Sequence, residues 1–157
     1  MIVREATLAD AEAAARAHAA SAEAVYGRPR DLARTIEAWR EAIAGNGYSA
    51  WLAVEGEDVI GVLSVSAAEL KVLYVVPERW GTGAGQALID KAHELLAQTT
   101  LEAGLTVLAG NPRARRFYER NGWELEETLV EPHFGGVPTE VCKYRRRFRG
   151  VSDTEGA

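Results

Sequence analysis

Apolar and polar positions follow two different periods along the chain, and the changes of period mark its predicted elements. Ile36, Trp39 and Ile43 recur at helical spacing, which predicts a helix over residues 31–44. Short apolar or alternating runs predict strands at residues 1–6, 49–54, 59–65, 69–76, 105–108, 123–130 and 137–148. Further helices are predicted over residues 7–20, from about residue 83 to residue 96 and over residues 112–121, and a loop over residues 21–30.

The predicted elements follow the order β-α-α-β-β-β-α-β-α-β-β, which is typical of a mixed α/β domain. With 157 residues and neither an internal repeat nor a linker, the sequence indicates one domain over residues 1–148. Residues 149–157 are predicted to form a flexible tail. We therefore expect about seven strands in a mixed, mostly antiparallel twisted sheet, flanked by about four helices.

Composition and charge exclude several classes of protein. No apolar run approaches the ~18 residues that cross a bilayer, and no secretory pattern opens the chain, so we expect a cytoplasmic protein without membrane contact. One cysteine, Cys142, and three scattered histidines indicate neither a disulfide framework nor a metal site. The net charge of −5 argues against nucleic-acid binding. The basic run 143–149 is interpreted as a solvated edge strand whose side chains alternate between faces.

The glycine-rich segment Trp80-Gly81-Thr82-Gly83-Ala84-Gly85 lies between a predicted strand and a predicted helix. Glycines at alternating positions let backbone N–H groups converge at a helix N-terminus, which favours phosphate binding. A tight turn without a ligand is the alternative. A dinucleotide-binding loop would need its third glycine at Gln86 and an acidic end to the next strand, which instead ends Ala109-Gly110-Asn111. A Walker loop would need a Gly-Lys-Ser/Thr sequence, which does not follow.

Two motifs resemble those of the GCN5-related N-acetyltransferases. The first is Val75-Val76-Pro77-Glu78-Arg79-Trp80-Gly81-Thr82-Gly83-Ala84-Gly85, similar to the family's Gln/Arg-x-x-Gly-x-Gly/Ala loop after a strand. The second is residues 111–123, Asn-Pro-Arg-Ala-Arg-Arg-Phe-Tyr-Glu-Arg-Asn-Gly-Trp. The likeness spans about residues 49–145. It implies a single domain of that fold and an enzyme that uses acetyl-CoA as cosubstrate, without a metal.

The resemblance implies a cofactor site at the glycine loop, the strand before it and the second motif. Its expected members are Tyr74, Val75, Val76, Arg79, Trp80, Gly81, Thr82, Gly83, Ala84, Gly85, Asn111, Arg113 and Tyr118. The N–H of Val75 or Val76 is expected to polarise the thioester carbonyl. The chain departs from the family at Trp80, where Gln or Arg is usual. We expect Trp80 to pack on the loop or on adenine, and Arg79 to replace the missing phosphate contact.

The resemblance also implies two catalytic residues. Glu69 opens the strand before the loop, where some family members carry a catalytic glutamate, and is the first candidate for the general base. His133 is the second candidate. Tyr118 occupies the position of the family's general acid, which protonates the leaving thiolate. Neighbouring helical residues point about 100° apart, so Phe117 is expected in the core and Tyr118 at the cofactor.

The expected acceptor is a primary amine of a small molecule or peptide that attacks directly in a ternary complex. The family builds its acceptor pocket from the first two helices and the last hairpin. Tyr26, Trp39 and Phe134 are candidate walls, and Glu23 and Glu131 are candidates to attract a cation. His18 is expected at the surface or partly buried. A homodimer is a family-level expectation, and a non-catalytic acyl-CoA-binding or sensing module is the alternative function.

Overall fold

The computed structural model describes residues 1–133 and 136–149, and the side chain of His133 is not included. Phe134 and all but the first residue of the predicted tail 149–157 lie outside the described residues. The described part contains seven strands and four helices: β1 (Ile2–Glu5), α1 (Ala11–Tyr26), α2 (Leu32–Ile43), β2 (Tyr48–Glu55), β3 (Asp58–Ser66), β4 (Leu70–Val75), α3 (Ala84–Ala97), β5 (Glu102–Leu108), α4 (Pro112–Arg120), β6 (Glu124–His133) and β7 (Val137–Arg147). The predicted mixed α/β class is confirmed.

The strands form two antiparallel sheets that meet at one point. Strands β1-β2-β3-β4 make the first sheet in that order, and β5-β7-β6 make the second. The sheets are joined by a parallel bridge between Glu69 and Gly104, where the Gly104 N–H donates to the Ala68 carbonyl at 2.9 Å. Beyond this bridge no ladder pairs β4 with β5 in the described residues. The predicted sheet is therefore divided by a gap between two neighbouring strands.

Two apolar clusters cover the opposite faces of the first sheet. On one face α3 buries Leu88, Ile89, Ala92 and Leu96, the stripe that its sequence period predicts. On the other face α1 and α2 bury alanines together with Trp39 against Leu52 and Val62 of the sheet. The alanines of α1 let this helix approach closely. Helices on both faces thus hold β4 in place.

Helix α1 is longer than its sequence predicts. A loop was expected over residues 21–30, but the helix continues to Tyr26 and ends at Gly27, which has a φ of 70°. Ser21 is buried, and its hydroxyl donates to the Ala17 carbonyl one turn earlier at 2.7 Å. This bond satisfies the only polar group of that side chain, so burial inside the helix is tolerated.

Strand β7 lies in the middle of its sheet, so the expectation of an edge strand for residues 143–149 was wrong. It pairs with β6 on one side and with β5 on the other. The pairing of β7 with β6 could be predicted from the sequence, because the two strands are consecutive. The pairing with β5 could not, because α4 and β6 lie between β5 and β7 in the chain.

No described helix is long and apolar enough to cross a membrane.

Candidate active site

The glycine segment turns the chain from β4 into α3. A 3-10 turn at Pro77–Arg79 leads into Gly81 and Gly83, whose φ angles of 76° and 92° favour glycine. The first hydrogen bond of α3 runs from the Ala87 N–H to the Gly83 carbonyl at 3.0 Å. The N–H groups that precede this bond belong to Ala84, Gly85 and Gln86. These groups make a helix N-terminus suited to an anion.

A cavity of about 480 Å³, which we call the loop cavity, lies between β4, the glycine segment and α4. Its lining includes Arg79, Arg113, Arg116 and Arg120, and none of the lining residues is Asp or Glu. The last three arginines lie on α4 at positions i, i+3 and i+7, which share one helix face. The charged residues that line this cavity are thus all cationic, although the chain has a net charge of −5, and such a lining favours a polyanionic ligand.

Trp80 packs on the loop, one of the two alternatives proposed for it. Its indole N–H donates to the Val75 carbonyl at 2.8 Å, which fixes the ring against the end of β4. The guanidinium of Arg113 stacks over the ring, with its central carbon 3.9 Å from the ring centroid. Burial, followed by the charge of Arg120, lowers the pKa of Arg113. Trp80 therefore positions a partly desolvated cation at the loop.

The guanidinium of Arg79, from which a phosphate contact was expected, pairs with a carboxylate. Its Nε and Nη2 donate to the Glu55 carboxylate at 3.1 and 2.8 Å, so its guanidinium is engaged at the end of β2. These hydrogen bonds raise the pKa of Arg79. Thr82 is also engaged, since its hydroxyl donates to the Arg79 carbonyl at 2.5 Å. The cation best placed at the loop is therefore Arg113.

The backbone of β4 distinguishes the two expected oxyanion donors. The Val76 N–H donates to the Ile60 carbonyl at 2.9 Å and is already engaged. Val75 lies opposite Gly61 one residue earlier, and in an antiparallel ladder successive residues turn their backbone groups to opposite sides. The Val75 N–H therefore faces away from β3, towards the gap.

Tyr118 is more deeply buried than Phe117, which is the reverse of the expectation from the sequence. The side chain of Tyr118 is only 8% exposed and packs in the core cluster, whereas Phe117 is half-buried beside it. Both rings line the loop cavity, and Tyr118 also lines a second cavity. Burial, with a contribution from Tyr26, raises the pKa of Tyr118. Its phenol is therefore protonated at neutral pH and remains a hydrogen-bond donor.

The second cavity, of about 370 Å³, fills the opening between β4 and β5, and we call it the gap cavity. It shares Leu73, Tyr74, Asn111, Ala114 and Tyr118 with the loop cavity. Asn111 also caps α4, since its Oδ1 accepts from the Ala114 N–H at 3.2 Å. The two cavities therefore adjoin along one wall.

His18, expected at the surface or partly buried, is buried in the wall of the gap cavity. Its Nδ1 accepts a hydrogen bond from the Trp39 indole at 3.1 Å, and its ring stacks on Tyr74 with centroids 4.9 Å apart. Burial, together with the charge of Arg30, lowers the pKa of His18 to about 3. The imidazole is therefore neutral and, with Nδ1 accepting, carries its hydrogen on Nε2.

The remaining candidates lie in different surroundings. Glu69 lines neither cavity; its side chain is 55% exposed and lies 3.5 Å from the Lys71 ammonium. Glu131 lines the gap cavity but pairs with Lys143 at 2.9 Å. Tyr26 lines the same cavity, whereas Trp39 lies behind His18 and Glu23 is exposed outside it. Among the described residues no group of three His, Cys, Asp or Glu side chains could hold a metal ion.

Sequence reasoning missed Arg30, which lines the gap cavity. Nothing in the local sequence Gly27-Arg28-Pro29-Arg30 distinguishes it from the neighbouring Arg28. Arg30 enters the cavity because α1 runs to Tyr26 and places the short α1–α2 connection beside β4. A correct boundary for α1 would have been the only signal.

A mixed α/β domain with a gap between two strands and a cationic cavity at a helix N-terminus is suited to an anionic ligand. The model of the acetyltransferase (GNAT) family matches residues 12–123, and the chain belongs to this family. A comparison with curated proteins gave no match.

Solved structures share the fold at low sequence identity. Ribosomal-protein-alanine N-acetyltransferase from Brucella melitensis is 19% identical, with a TM-score of 0.76 over 94% of this chain and 100% of that chain. The paia N-acetyltransferase from Thermoplasma acidophilum, in complex with coenzyme A, is 20% identical, with a TM-score of 0.71 over 94% and 98%. Salmonella typhimurium yncA, solved with its cofactor acetyl-CoA, is 18% identical, with a TM-score of 0.76 over 95% and 94%.

Proposed function

We propose that this chain transfers the acetyl group of acetyl-CoA to a primary amine of a small molecule or peptide by direct attack in a ternary complex. The observation that carries the proposal is the wall shared by the loop cavity and the gap cavity, formed in part by Tyr74, Asn111 and Tyr118. Two substrates that enter from the two cavities would meet at this wall, so no covalent enzyme intermediate is needed.

The loop cavity fits the anionic end of acetyl-CoA. Gly85, Gln86 and Arg113 line this cavity, so N–H groups that precede the first bond of α3 and the stacked guanidinium are available to a diphosphate there. Gly81 and Gly83 leave the approach open, since a Cβ at either would meet no atom within 4 Å. Arg116 and Arg120 add positive charge along the same wall. The proposed cofactor site comprises the residues expected from the sequence, with Arg113 rather than Arg79 as the cation beside the diphosphate. Val75 is the N–H donor in that site.

Acetyl-CoA supplies an acetyl group activated as a thioester. The Val75 N–H faces the gap and is placed to donate to the carbonyl oxygen as negative charge develops on it. The amine nitrogen forms the new C–N bond as the C–S bond breaks, the amine loses one proton, and the thiolate of coenzyme A leaves. Tyr118 donates a hydrogen bond to this thiolate, because burial keeps its phenol protonated.

The general base remains a prediction. An alkylammonium group has a pKa near 10 and must lose a proton before it attacks. Glu69 is exposed and paired with Lys71, so a proton would reach it only through water. His133, in β6, is the second candidate, and its side chain lies outside the described residues. His18 is not proposed as a base, because burial holds its pKa near 3.

The test is thiol release from acetyl-CoA across a panel of amines, in parallel with calorimetric titration of acetyl-CoA. We expect saturable binding of acetyl-CoA and amine-dependent release of one thiol for each acetylated product. Binding with no release for any amine would instead support the acyl-CoA-binding module. Failure of both would overturn the proposed function and the cofactor site together.

A further inference from the structure

The charges of the gap cavity do not balance. Apart from its tyrosines and its histidine, the ionisable side chains that line this cavity are Arg30, Lys71 and Glu131. Lys143 neutralises Glu131 at 2.9 Å, and Glu69 lies 3.5 Å from Lys71. Among the described residues no carboxylate lies within ion-pair distance of Arg30. The side chain with an uncompensated charge in this cavity is therefore Arg30.

Arg30 also carries an unsatisfied polar group. Its Nε is the one buried side-chain nitrogen or oxygen without a hydrogen-bond partner in the described part of the chain. A buried donor without an acceptor costs free energy, so an acceptor within reach of this guanidinium would be favoured. The guanidinium presents its donors in a planar fork that matches the two oxygens of a carboxylate.

The neighbours of Arg30 do not compete for such an anion. Burial, and after it the charge of Arg30, lowers the pKa of His18, and the same charge acts on Tyr74 in the direction that lowers its pKa. Burial raises the pKa of Tyr74 and keeps it protonated, and His18 is neutral. Two neutral rings therefore stand beside a cation, an arrangement that leaves the guanidinium available to a ligand.

From this geometry we propose that the acetyl acceptor is an amino acid or a related small amine with a carboxylate, and that Arg30 binds this carboxylate. The inference rests on the proposed function, whose acceptor it specifies. A cavity of about 370 Å³ suits a molecule of this size. The same cation disfavours the charged form of a nearby ammonium group, which promotes formation of the neutral nucleophile.

A carboxylate on the acceptor is opposite in charge to the cation that the sequence led us to expect. Glu23 and Glu131 were candidates to attract a cationic acceptor, but Glu23 lies outside the cavity and Glu131 is paired. A polyamine would bring several positive charges beside Arg30 and Lys71. We therefore expect spermidine to be a poor acceptor for this chain.

The test compares acceptors in which the carboxylate is kept, converted to the amide or removed. For each of several side chains the amino acid, its amide and its decarboxylated amine are assayed by thiol release from acetyl-CoA. We expect kcat/KM to be about 10- to 100-fold higher for the best amino acid than for its two analogues, as a charge-assisted pair predicts. In Arg30→Gln this ratio should fall to near one, mostly through KM.

Arg34→Gln is the matched control, because Arg34 is exposed on α2 and lines neither cavity. It removes the same charge four residues away and should keep the preference for the carboxylate. Transfer to the amides or amines with no such preference would overturn this proposal and leave the proposed function intact. No transfer to any amine would instead remove the proposed function.

A second measurement does not depend on turnover. The N-acetyl amino acid and its amide are titrated calorimetrically into the protein saturated with coenzyme A. The carboxylate form should bind about tenfold more tightly, and Arg30→Gln should abolish the difference. Equal affinity in the unaltered chain would overturn the assignment of Arg30.

Discussion

Trp80 and Arg113 act as a pair at the position where the family usually has a single Gln or Arg. The indole N–H donates to the Val75 carbonyl at the end of β4, and the face of the ring packs on the guanidinium of Arg113, so the cation at the loop comes from α4. Arg79 would have been the simpler choice from sequence, but Glu55, 24 residues earlier, holds it. The contact could not be predicted because it depends on a long-range ion pair and on the packing of α4.

Replacing Arg113 tests this pair. Arg113→Gln should raise the Kd for acetyl-CoA about tenfold, because one charge-assisted contact to the diphosphate is lost. Calorimetric titration at fixed ionic strength measures the change, with Arg34→Gln as the control for charge alone. An unchanged Kd in Arg113→Gln would show that the diphosphate does not contact this side chain.

Tyr118 is the second residue whose role can be isolated. Tyr118→Phe should lower kcat about 10- to 100-fold, since the thiolate loses a hydrogen bond that the phenol donates. The Kd for acetyl-CoA should change little because the ring stays in place. Tyr48→Phe, on the exposed start of β2, serves as control. Full activity in Tyr118→Phe would remove Tyr118 from the mechanism.

At the scale of elements, the sequence predicts those parts whose signals are local. The order of strands and helices follows from hydrophobic period, and the cap at Asn111 follows from the proline after it. The deeper burial of Tyr118 relative to Phe117 could not be predicted. The helical repeat turns the two side chains in different directions, but it does not say which of them faces the core. Likewise, the central place of β7 and the entry of Arg30 into the gap cavity depend on pairings between distant segments.

The packing of β3 on α3 allows a stability test of the element that positions the loop. A Cβ added at Gly61 would lie 2.7 Å from the Cδ1 of Leu88 and 3.2 Å from the carbonyl oxygen of Tyr74. Gly61→Ala should therefore lower the free energy of unfolding by about 1–3 kcal/mol through overpacking.

Gly110→Ala is the control for this substitution. Its Cβ would meet no atom within 4 Å, and its φ is not in the left-handed region. Urea denaturation of both variants measures the difference. Equal stability of Gly61→Ala and the unaltered chain would contradict the close packing of β3 against α3.

At the scale of the whole molecule, charge is unevenly distributed. The chain is acidic overall, yet four arginines and no Asp or Glu line the loop cavity. In the gap cavity the charge of Arg30 has no carboxylate partner among the described residues. Two imidazoles are kept neutral within the fold: burial lowers the pKa of His18 to about 3 and that of His93 to about 4. His93 accepts a hydrogen bond from the Trp123 indole at 3.0 Å.

The lowered pKa values of His18 and His93 make the free energy of unfolding depend on pH. An unfolded histidine titrates near 6.5, so below this pH the unfolded chain binds more protons than the folded chain. Their contribution to stability is complete above about pH 6.5 and is lost as the pH falls towards about 3 for His18 and 4 for His93. The slope for His18 approaches about 1.4 kcal/mol per pH unit, and that for His93 is smaller because its pKa is lowered less at its partly solvated position.

Urea denaturation between pH 4.5 and pH 8 measures this slope. His18→Asn keeps an acceptor near the Trp39 indole but removes the titrating ring, so its stability should depend less steeply on pH than that of the unaltered chain. Identical slopes for the two proteins would mean that the fold does not lower the pKa of His18.

In the proposed function, the backbone N–H groups at the start of α3 hold the diphosphate of coenzyme A. A titration of the ¹⁵N-labelled chain with acetyl-CoA, followed by amide proton shifts, tests it directly. We expect the largest shifts on Gly83 to Gln86, with a further shift at Val75. Saturation by acetyl-CoA with these amides unmoved, or no binding at millimolar ligand, would contradict it.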